Sequence, residues 1–216
     1  MIISQQKPLE LLLQLIQDKS VFLIGCSECA TICHTGGETE VIEMKKKLEE
    51  NHIHVTGWTI LDPACHLLND KRLLKPYKKE IEDAYYLLMF SCGDGLQVIS
   101  KLYPAKRILS GTNTLFLGAE LERGTFSRIC NLCGECIADE FDGLCPISRC
   151  PKNMLNGPCG GSMNGKCELS DQLPCVWDEI IRKKITRNST DALKIIKKPK
   201  DWTVYRFFNW RENNSI

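Results

Sequence analysis

Residues 21–33, Val-Phe-Leu-Ile-Gly-Cys-Ser-Glu-Cys-Ala-Thr-Ile-Cys, join a short apolar run to the first three cysteines of the chain. Four apolar residues ending in glycine are typical of a strand that a parallel sheet buries on both faces. The cysteines follow at once, in a C-x2-C-x3-C spacing. The stretch therefore predicts a buried strand whose carboxyl end carries a metal site.

Strand and helix patterns alternate on either side of this stretch. Helical spacing covers residues 9–16, 38–50, 67–83 and 96–102, and strand-like runs cover 53–61, 85–90 and 107–117. Such alternation is typical of parallel sheets covered by helices. We therefore expect an α/β fold, a small open parallel sheet of the flavodoxin or Rossmann type, followed by an irregular cysteine-rich region.

Three regions are expected along the chain. Residues 1–123 would form the α/β domain, residues 124–178 a cysteine-rich metal-cluster region, and residues 179–216 a helix with a basic tail. Residues 182–211 hold ten lysines and arginines against two acidic residues. This tail is interpreted as a solvated arm, with a docking strip for an acidic partner as the alternative.

Composition narrows the function classes. Thirteen cysteines in 216 residues, an odd number with no export signal before them, favour metal thiolates in a reducing compartment over disulfides. A net charge of +1 gives no electrostatic case for nucleic acid, and no apolar run approaches the roughly 20 residues of a membrane helix. A cytoplasmic protein that binds no nucleic acid and does not insert into membranes is expected.

Five cysteines follow strand ends in the first half of the chain. Parallel strands end at one edge of a sheet, so these thiols should converge there. A 4Fe-4S cluster takes four thiolates, which three cysteines of the first loop and one from a later strand would supply, and the sequence does not choose the fourth ligand. The candidate ligands are Cys26, Cys29, Cys33, Cys65 and Cys92.

Eight further cysteines divide evenly into two groups of four. Their first three, in a C-x2-C-x2-C spacing, match the start of the bacterial ferredoxin run, although the next cysteine follows after eight residues instead of three. Structural zinc is the alternative, because C-x2-C pairs serve zinc equally well. These candidate ligands are Cys130, Cys133, Cys136, Cys145, Cys150, Cys159, Cys167 and Cys175.

Histidine and glycine positions add little to these two sets. His34, His52, His54 and His66 have no ligand spacing of their own. Gly36-Gly37 and the segment 91–95 predict close backbone approaches at the strand ends, but neither matches a dinucleotide-binding fingerprint.

The segments 130–136 and 143–161 resemble the C-terminal domain family of methylenetetrahydrofolate reductase. They read Cys-Asn-Leu-Cys-Gly-Glu-Cys and Gly-Leu-Cys-Pro-Ile-Ser-Arg-Cys-Pro-Lys-Asn-Met-Leu-Asn-Gly-Pro-Cys-Gly-Gly, and 174–177 and 200–202 extend the likeness. Residues 25–37 and 91–93 resemble the small subunit of the acetogen-type two-subunit enzyme.

The resemblance implies an iron-sulfur electron-transfer subunit of methylenetetrahydrofolate reductase in the one-carbon (Wood-Ljungdahl) pathway. It implies one 4Fe-4S cluster in the first domain, up to two later ones with zinc possible at one site, and FMN on a partner barrel subunit. Ferredoxin is the expected low-potential donor, and no catalytic activity is expected alone. A non-redox assembly subunit stabilised by zinc is the alternative, and an enzyme with an open iron position is a third hypothesis.

Overall fold

The computed structural model describes residues 1–203, which fall into two compact units divided between Phe116 and Leu117. The elements of the N-terminal unit are β1 (Ile2–Gln6), α1 (Leu9–Ile16), β2 (Val21–Cys26), α2 (Cys29–Ile32), α3 (Glu38–Glu50), β3 (Val55–Leu61), α4 (Leu67–Leu73), α5 (Lys78–Asp83), β4 (Tyr86–Phe90), α6 (Gly93–Leu102), β5 (Arg107–Ser110) and β6 (Thr112–Leu117), the last of which ends at the boundary.

A four-stranded parallel sheet in the order β3-β2-β4-β5 forms the centre of the N-terminal unit. The expected mixed α/β fold with a parallel sheet is thus confirmed. β2, the first strand of this sheet in chain order, lies between β3 and β4. Later strands are therefore added on both sides of β2. Sheets of this kind bind ligands where the order reverses, outside the carboxyl ends of the strands. Here that point lies between β2 and β4.

Helices cover both faces of this sheet. Leu23 and Leu88 point to the face covered by α1 and α3, and Phe22, Ile24 and Leu87 to the face that packs against Ile81 of α5 and Ile99 of α6. Neighbouring strand residues point to opposite faces, so a strand buried on both sides must be apolar throughout. This requirement explains the uninterrupted apolar runs in β2 and β4.

Two expected elements are broken in the structure. The segment expected as one strand over 107–117 is interrupted at Gly111, where β5 continues the parallel sheet and β6 leaves it to pair with β1. The helix expected over 67–83 is divided into α4, a 3-10 turn at Lys75–Tyr77 and α5. Pro76 lacks the amide hydrogen that an uninterrupted helix would need there.

The C-terminal unit consists of short elements around a small core. They are β7 (Ala119–Glu122), β8 (Thr125–Ser127), α7 (Pro146–Arg149), β9 (Lys166–Cys167), β10 (Ser170–Pro174) and α8 (Val176–Thr186), with 3-10 turns at Ala138–Phe141 and Thr190–Lys194. The Phe141 and Trp177 rings pack edge to face with their centroids 5.4 Å apart. The Trp177 indole N–H donates to the Met154 carbonyl at 2.9 Å. Whether 124–178 and 179–216 are separate regions stays a prediction.

An ion pair joins the residue after the 3-10 turn at Ala138–Phe141 to the C-terminal end of α8. Asp142 contacts the ammonium of Lys184, in the last turn of α8, at 3.2 Å and the guanidinium of Arg187, the residue that follows this helix. Burial alone raises the pKa of Asp142, but the Lys184 hydrogen bond and the Arg187 charge prevail and lower it below its usual range. None of the helices within residues 1–203 is long and apolar enough to cross a bilayer.

Candidate metal centres

Three cysteines lie at the carboxyl ends of three neighbouring strands. Cys26 is the last residue of β2, Cys92 follows β4 and precedes α6, and Cys65 lies four residues beyond β3. Because β2 lies between β3 and β4, Cys26 occupies the middle of this edge. The β2-β4 reversal point therefore lies between Cys26 and Cys92.

The thiols at this edge influence one another. Burial raises the pKa of Cys26, the Ala64 and Glu28 amides that donate to its sulfur lower it, and the charges of Cys92 and Cys29 raise it again. Burial likewise raises the pKa of Cys65, with further contributions from Cys92 and Cys26. Thiolates that repel one another in this way are neutralised when a metal cation binds them.

Cys29 and Cys33 lie at the two ends of the single helical turn α2, beside β1. The Ile2 amide donates to the Cys29 sulfur at 3.4 Å, and the Cys33 thiol donates to the Ile2 carbonyl at 3.7 Å. The buried Ser4 and Thr35 hydroxyls join the same segments at 2.7 Å. β1, which was not expected from the sequence, fixes the positions of both sulfurs.

The glycines at the strand ends pack against backbone. A Cβ on Gly36 would overlap the Phe90 carbonyl, and one on Gly25 would overlap the Gly36 carbonyl. The Gly36 carbonyl also accepts from the Cys26 amide at 2.9 Å. These close approaches hold the loop that carries Cys29 and Cys33 against the end of the sheet.

Four cysteines of the C-terminal unit line one small cavity. Trp177 and the ion pair between Lys152 and Glu168 contribute to the same walls. The Gly161 amide donates to the Cys159 sulfur and lowers its pKa, and Lys152 acts in the same direction. The four cysteines are Cys150, Cys159, Cys167 and Cys175.

The other four cysteines of this unit lie outside that cavity lining. Cys130 accepts from the Leu132 amide at 3.4 Å, and the Cys133 thiol donates to the Glu135 carbonyl at 3.4 Å. Ser148 of α7 donates to the Ile129 carbonyl at 2.6 Å, which ties the helix beginning after Cys145 to the residue before Cys130. The remaining set is therefore Cys130, Cys133, Cys136 and Cys145.

The donor sets are suited to metals that bind thiolate. In the described part of the chain, no three His, Cys, Asp or Glu side chains already stand in a coordinating arrangement. His66 caps α4 by accepting from the Asn69 amide at 3.2 Å, and His34 contacts Glu40 at 3.5 Å. The sets named above consist of sulfur alone, which fits both iron-sulfur clusters and structural zinc.

Residues 195–200, here called the C-terminal strap, tie the two cysteine loops together. Asn156 exchanges two hydrogen bonds with the Lys197 backbone, at 2.8 and 2.9 Å. The Lys200 ammonium, on a side chain only 4% exposed, contacts the Glu135 carbonyl and its carboxylate. The structure thus differs from the expected solvated arm over these residues, while Arg206 and Arg211 lie outside the described residues.

Sequence reasoning also missed one buried acid and one cleft. Asp70 of α4 is fully buried, and within residues 1–203 neither of its carboxylate oxygens has a hydrogen-bond partner. An open cleft of about 770 Å³ in the C-terminal unit reaches Cys150 between Arg128, Asn131 and Trp202. A buried carboxylate in a polar helical segment has no sequence signal that distinguishes it from an exposed one.

Residues 109–203 match the family model described as "Methylene-tetrahydrofolate reductase C terminal". The match includes all eight cysteines of the C-terminal unit and confirms the resemblance of the cysteine-rich region. The likeness of residues 25–37 to the small subunit of a two-subunit enzyme lies outside it and stays a prediction. No curated protein and no solved structure matches the chain.

Proposed function

We propose that this chain, whose residues 109–203 relate it to methylenetetrahydrofolate reductase, is the iron-sulfur electron-transfer subunit of such an enzyme. The observation that carries the proposal is the cavity lined by Cys150, Cys159, Cys167 and Cys175, which lies within the matched segment. Four thiolates are the ligand set of a 4Fe-4S cluster, which when bound supplies reversible one-electron transfer.

Three sets of thiols would hold the centres. The sheet edge offers five cysteines for one centre, and the C-terminal unit offers its two sets of four. Zinc at one of the later sets is compatible with the same donors, because thiolates alone satisfy both metals. The proposal requires a cluster in at least one set, since zinc has no redox chemistry in proteins.

Residues around the cavity would control water access and sulfur charge. Trp177 is buried against it, and Lys152 places a positive charge beside Cys159. The Gly161 amide hydrogen bond stabilises negative charge on the Cys159 sulfur. Donors and charges near ligand sulfurs are among the main influences on the potential of such a centre.

The organic chemistry would belong to a partner chain. The parallel sheet has four strands, whereas a flavin-bearing barrel needs eight strand-helix units. We therefore assign FMN and the folate substrate to a barrel subunit, and the electron supply to a low-potential donor such as ferredoxin. The proposed location is the cytoplasm, and the proposed role belongs to the one-carbon pathway of acetogens.

A zinc-stabilised assembly subunit is the second candidate. The observation in its favour is the small size of the C-terminal core, in which Cys150 and seven apolar residues are buried in a unit that carries eight cysteines. A region with so little apolar burial gains folding free energy from metal binding, whichever metal it is. This role would need neither iron nor electron transfer.

Metal analysis after anaerobic purification separates the two functions. Iron and sulfide in the wild-type chain are expected, together with their loss from one C-terminal centre in the double variant C150S/C159S. The matched control S162A changes a residue of the same cavity that offers no thiol, and should keep both. A colourless chain that contains only zinc would refute the relay and support the assembly role.

Activity then tests the relay directly. The chain alone should reduce no methylenetetrahydrofolate, and activity with a one-electron donor should appear once a barrel subunit is added. C26A combined with C29A should abolish that activity and leave the partner's flavin bound and chemically reducible. Full donor-dependent turnover in the double variant would contradict the proposal for the sheet-edge centre.

A further inference from the structure

The open cleft of the C-terminal unit has the size of a small-molecule site. Its volume is about 770 Å³, and sites of roughly 300–1,000 Å³ hold small organic ligands in other proteins. Two cations, Arg128 and Lys200, line this cleft, and within the described residues 1–203 no carboxylate does. A lining of this composition favours a ligand that carries negative charge.

The two cations differ in what they have left to bind. The Lys200 ammonium already contacts the carbonyl and the carboxylate of Glu135, and its side chain is only 4% exposed. The Arg128 guanidinium donates from Nε to the Asn131 Oδ1 at 3.0 Å, and it forms no ion pair with any residue of the described chain. Because arginine stays ionised in proteins, Arg128 supplies the cleft with a positive charge that residues 1–203 do not neutralise.

The hydrogen bond from Arg128 also fixes the orientation of Asn131. Arginine has no acceptor, so the amide atom that faces it must be the oxygen. The Nδ2 group of the same amide, a double donor, then has no partner among residues 1–203. Both side chains line the cleft. A guanidinium fork beside an amide donor is suited to a carboxylate or a phosphate, which accepts several hydrogen bonds at once.

The rest of the lining offers flat apolar surface. Trp202 is 46% exposed, whereas tryptophan side chains are highly buried on average. Pro151, Leu155 and Pro199 line the same cleft. The acid next to this tryptophan, Asp201, accepts from the amide and hydroxyl of Thr203. A half-exposed indole in a cleft provides a face on which a planar group can stack.

We propose that the cleft binds a small planar aromatic molecule that carries a carboxylate or phosphate group. The anion would accept from the Arg128 guanidinium and the Asn131 amide, and the ring would stack on Trp202. This site goes beyond the proposed function and does not depend on which metal the cysteines hold. Cys150 lines both the cleft and the four-cysteine cavity, so the bound molecule would lie beside that cavity.

Titrations of the anaerobically purified full chain, followed by proton and phosphorus NMR of the ligand, test both halves of this ligand. Benzoate and phenyl phosphate carry a ring and an anion, acetate and inorganic phosphate carry the anion alone, and benzyl alcohol carries the ring alone. The aromatic anions should bind about three- to tenfold more tightly than the anions without a ring, which is the gain from one stacking contact. They should bind at least about tenfold more tightly than benzyl alcohol, which lacks the charge.

The carboxylate and phosphate probes distinguish the two sources of such a ligand. Tighter binding of phenyl phosphate would support an aromatic phosphate ester, and tighter binding of benzoate an aromatic carboxylic acid. Failure of both to bind, or equal binding of the anions that lack a ring, would overturn the proposal.

Variants on the two sides of the ligand locate the site. R128Q should weaken binding of both aromatic anions at least about tenfold, and W202A about three- to tenfold. R123Q makes the same change at an exposed arginine outside the cleft and should bind as the wild type does. Iron content and far-UV circular dichroism identify a variant that has failed to fold, and if R128Q is one, W202A decides. Unchanged affinity in the folded cleft variants, or an equal loss in R123Q, would refute the site.

Discussion

Replacing Asp70 by asparagine should stabilise the N-terminal unit relative to the wild type, and this gain in unfolding free energy should be larger at pH 8 than at pH 5. Asp70 is fully buried and its carboxylate oxygens have no hydrogen-bond partner among residues 1–203. Burial raises its pKa from 3.8 to about 6 and outweighs the lowering by His66. Ionisation of Asp70 therefore lowers the unfolding free energy of the N-terminal unit. Asparagine has the same shape but cannot ionise, so it avoids this loss.

The size of the effect follows from the pKa shift. The folded unit binds more protons than the unfolded chain between the two pKa values, so its stability falls as the pH rises through about 6. The full shift corresponds to about 3 kcal/mol, of which roughly half, about 1.5 kcal/mol, develops between pH 5 and pH 8. The stability difference between the D70N variant and the wild type should grow by that amount.

Hydrogen-exchange mass spectrometry at graded urea concentrations would measure this difference, read from peptides of β2 and β4. Reading only these peptides isolates the N-terminal unit, because a two-unit chain need not unfold in one step. D83N, at the exposed end of α5, is the matched control and should shift by less than about 0.5 kcal/mol at either pH. A D70N effect that is equal at pH 5 and pH 8 would refute the reasoning.

Three further outcomes are expected. N156A should remove both hydrogen bonds to the Lys197 backbone, lower the stability of the C-terminal unit by about 1–2 kcal/mol and expose the strap to proteolysis, unlike K198A at the exposed neighbouring position. Asp142, whose pKa is lowered, stabilises the folded unit above about pH 4 and ceases to do so as the pH falls through its folded value, so unfolding of D142N should lose that acid-dependent step. G36A should destabilise the N-terminal unit by about 1–3 kcal/mol because its Cβ meets the Phe90 carbonyl, and thermal unfolding at unchanged temperature would contradict this.

The sequence predicted the parallel sheet and the positions of Cys26, Cys65 and Cys92 at its edge for one physical reason. Strands buried on both faces have to be apolar throughout, and loops that follow them must lie at the carboxyl edge. Those two constraints involve only local patterns and a general topology. The metal at this edge remains a proposal, because thiol positions alone do not determine which metal binds.

Structural features that depend on contacts between residues far apart in the sequence had no signal comparable to the apolar runs of the buried strands. β1 pairs with β6, more than one hundred residues later, and its short sequence carries no pattern that specifies this partner. The grouping of Cys150 with Cys175 likewise depends on how α7 and α8 pack around Trp177. The core residues there are spread between cysteines and turns without a helical or strand period, so the sequence predicted little core in that region.

The C-terminal strap also sets an order of events during synthesis. The ribosome makes both cysteine loops before residue 200, at roughly 5–20 residues per second. Lys200 therefore emerges roughly 3–10 s after Cys150 at that rate, and the contact with Glu135 can form only then. Until Lys200 has been made, the loop that carries Glu135 folds without this contact.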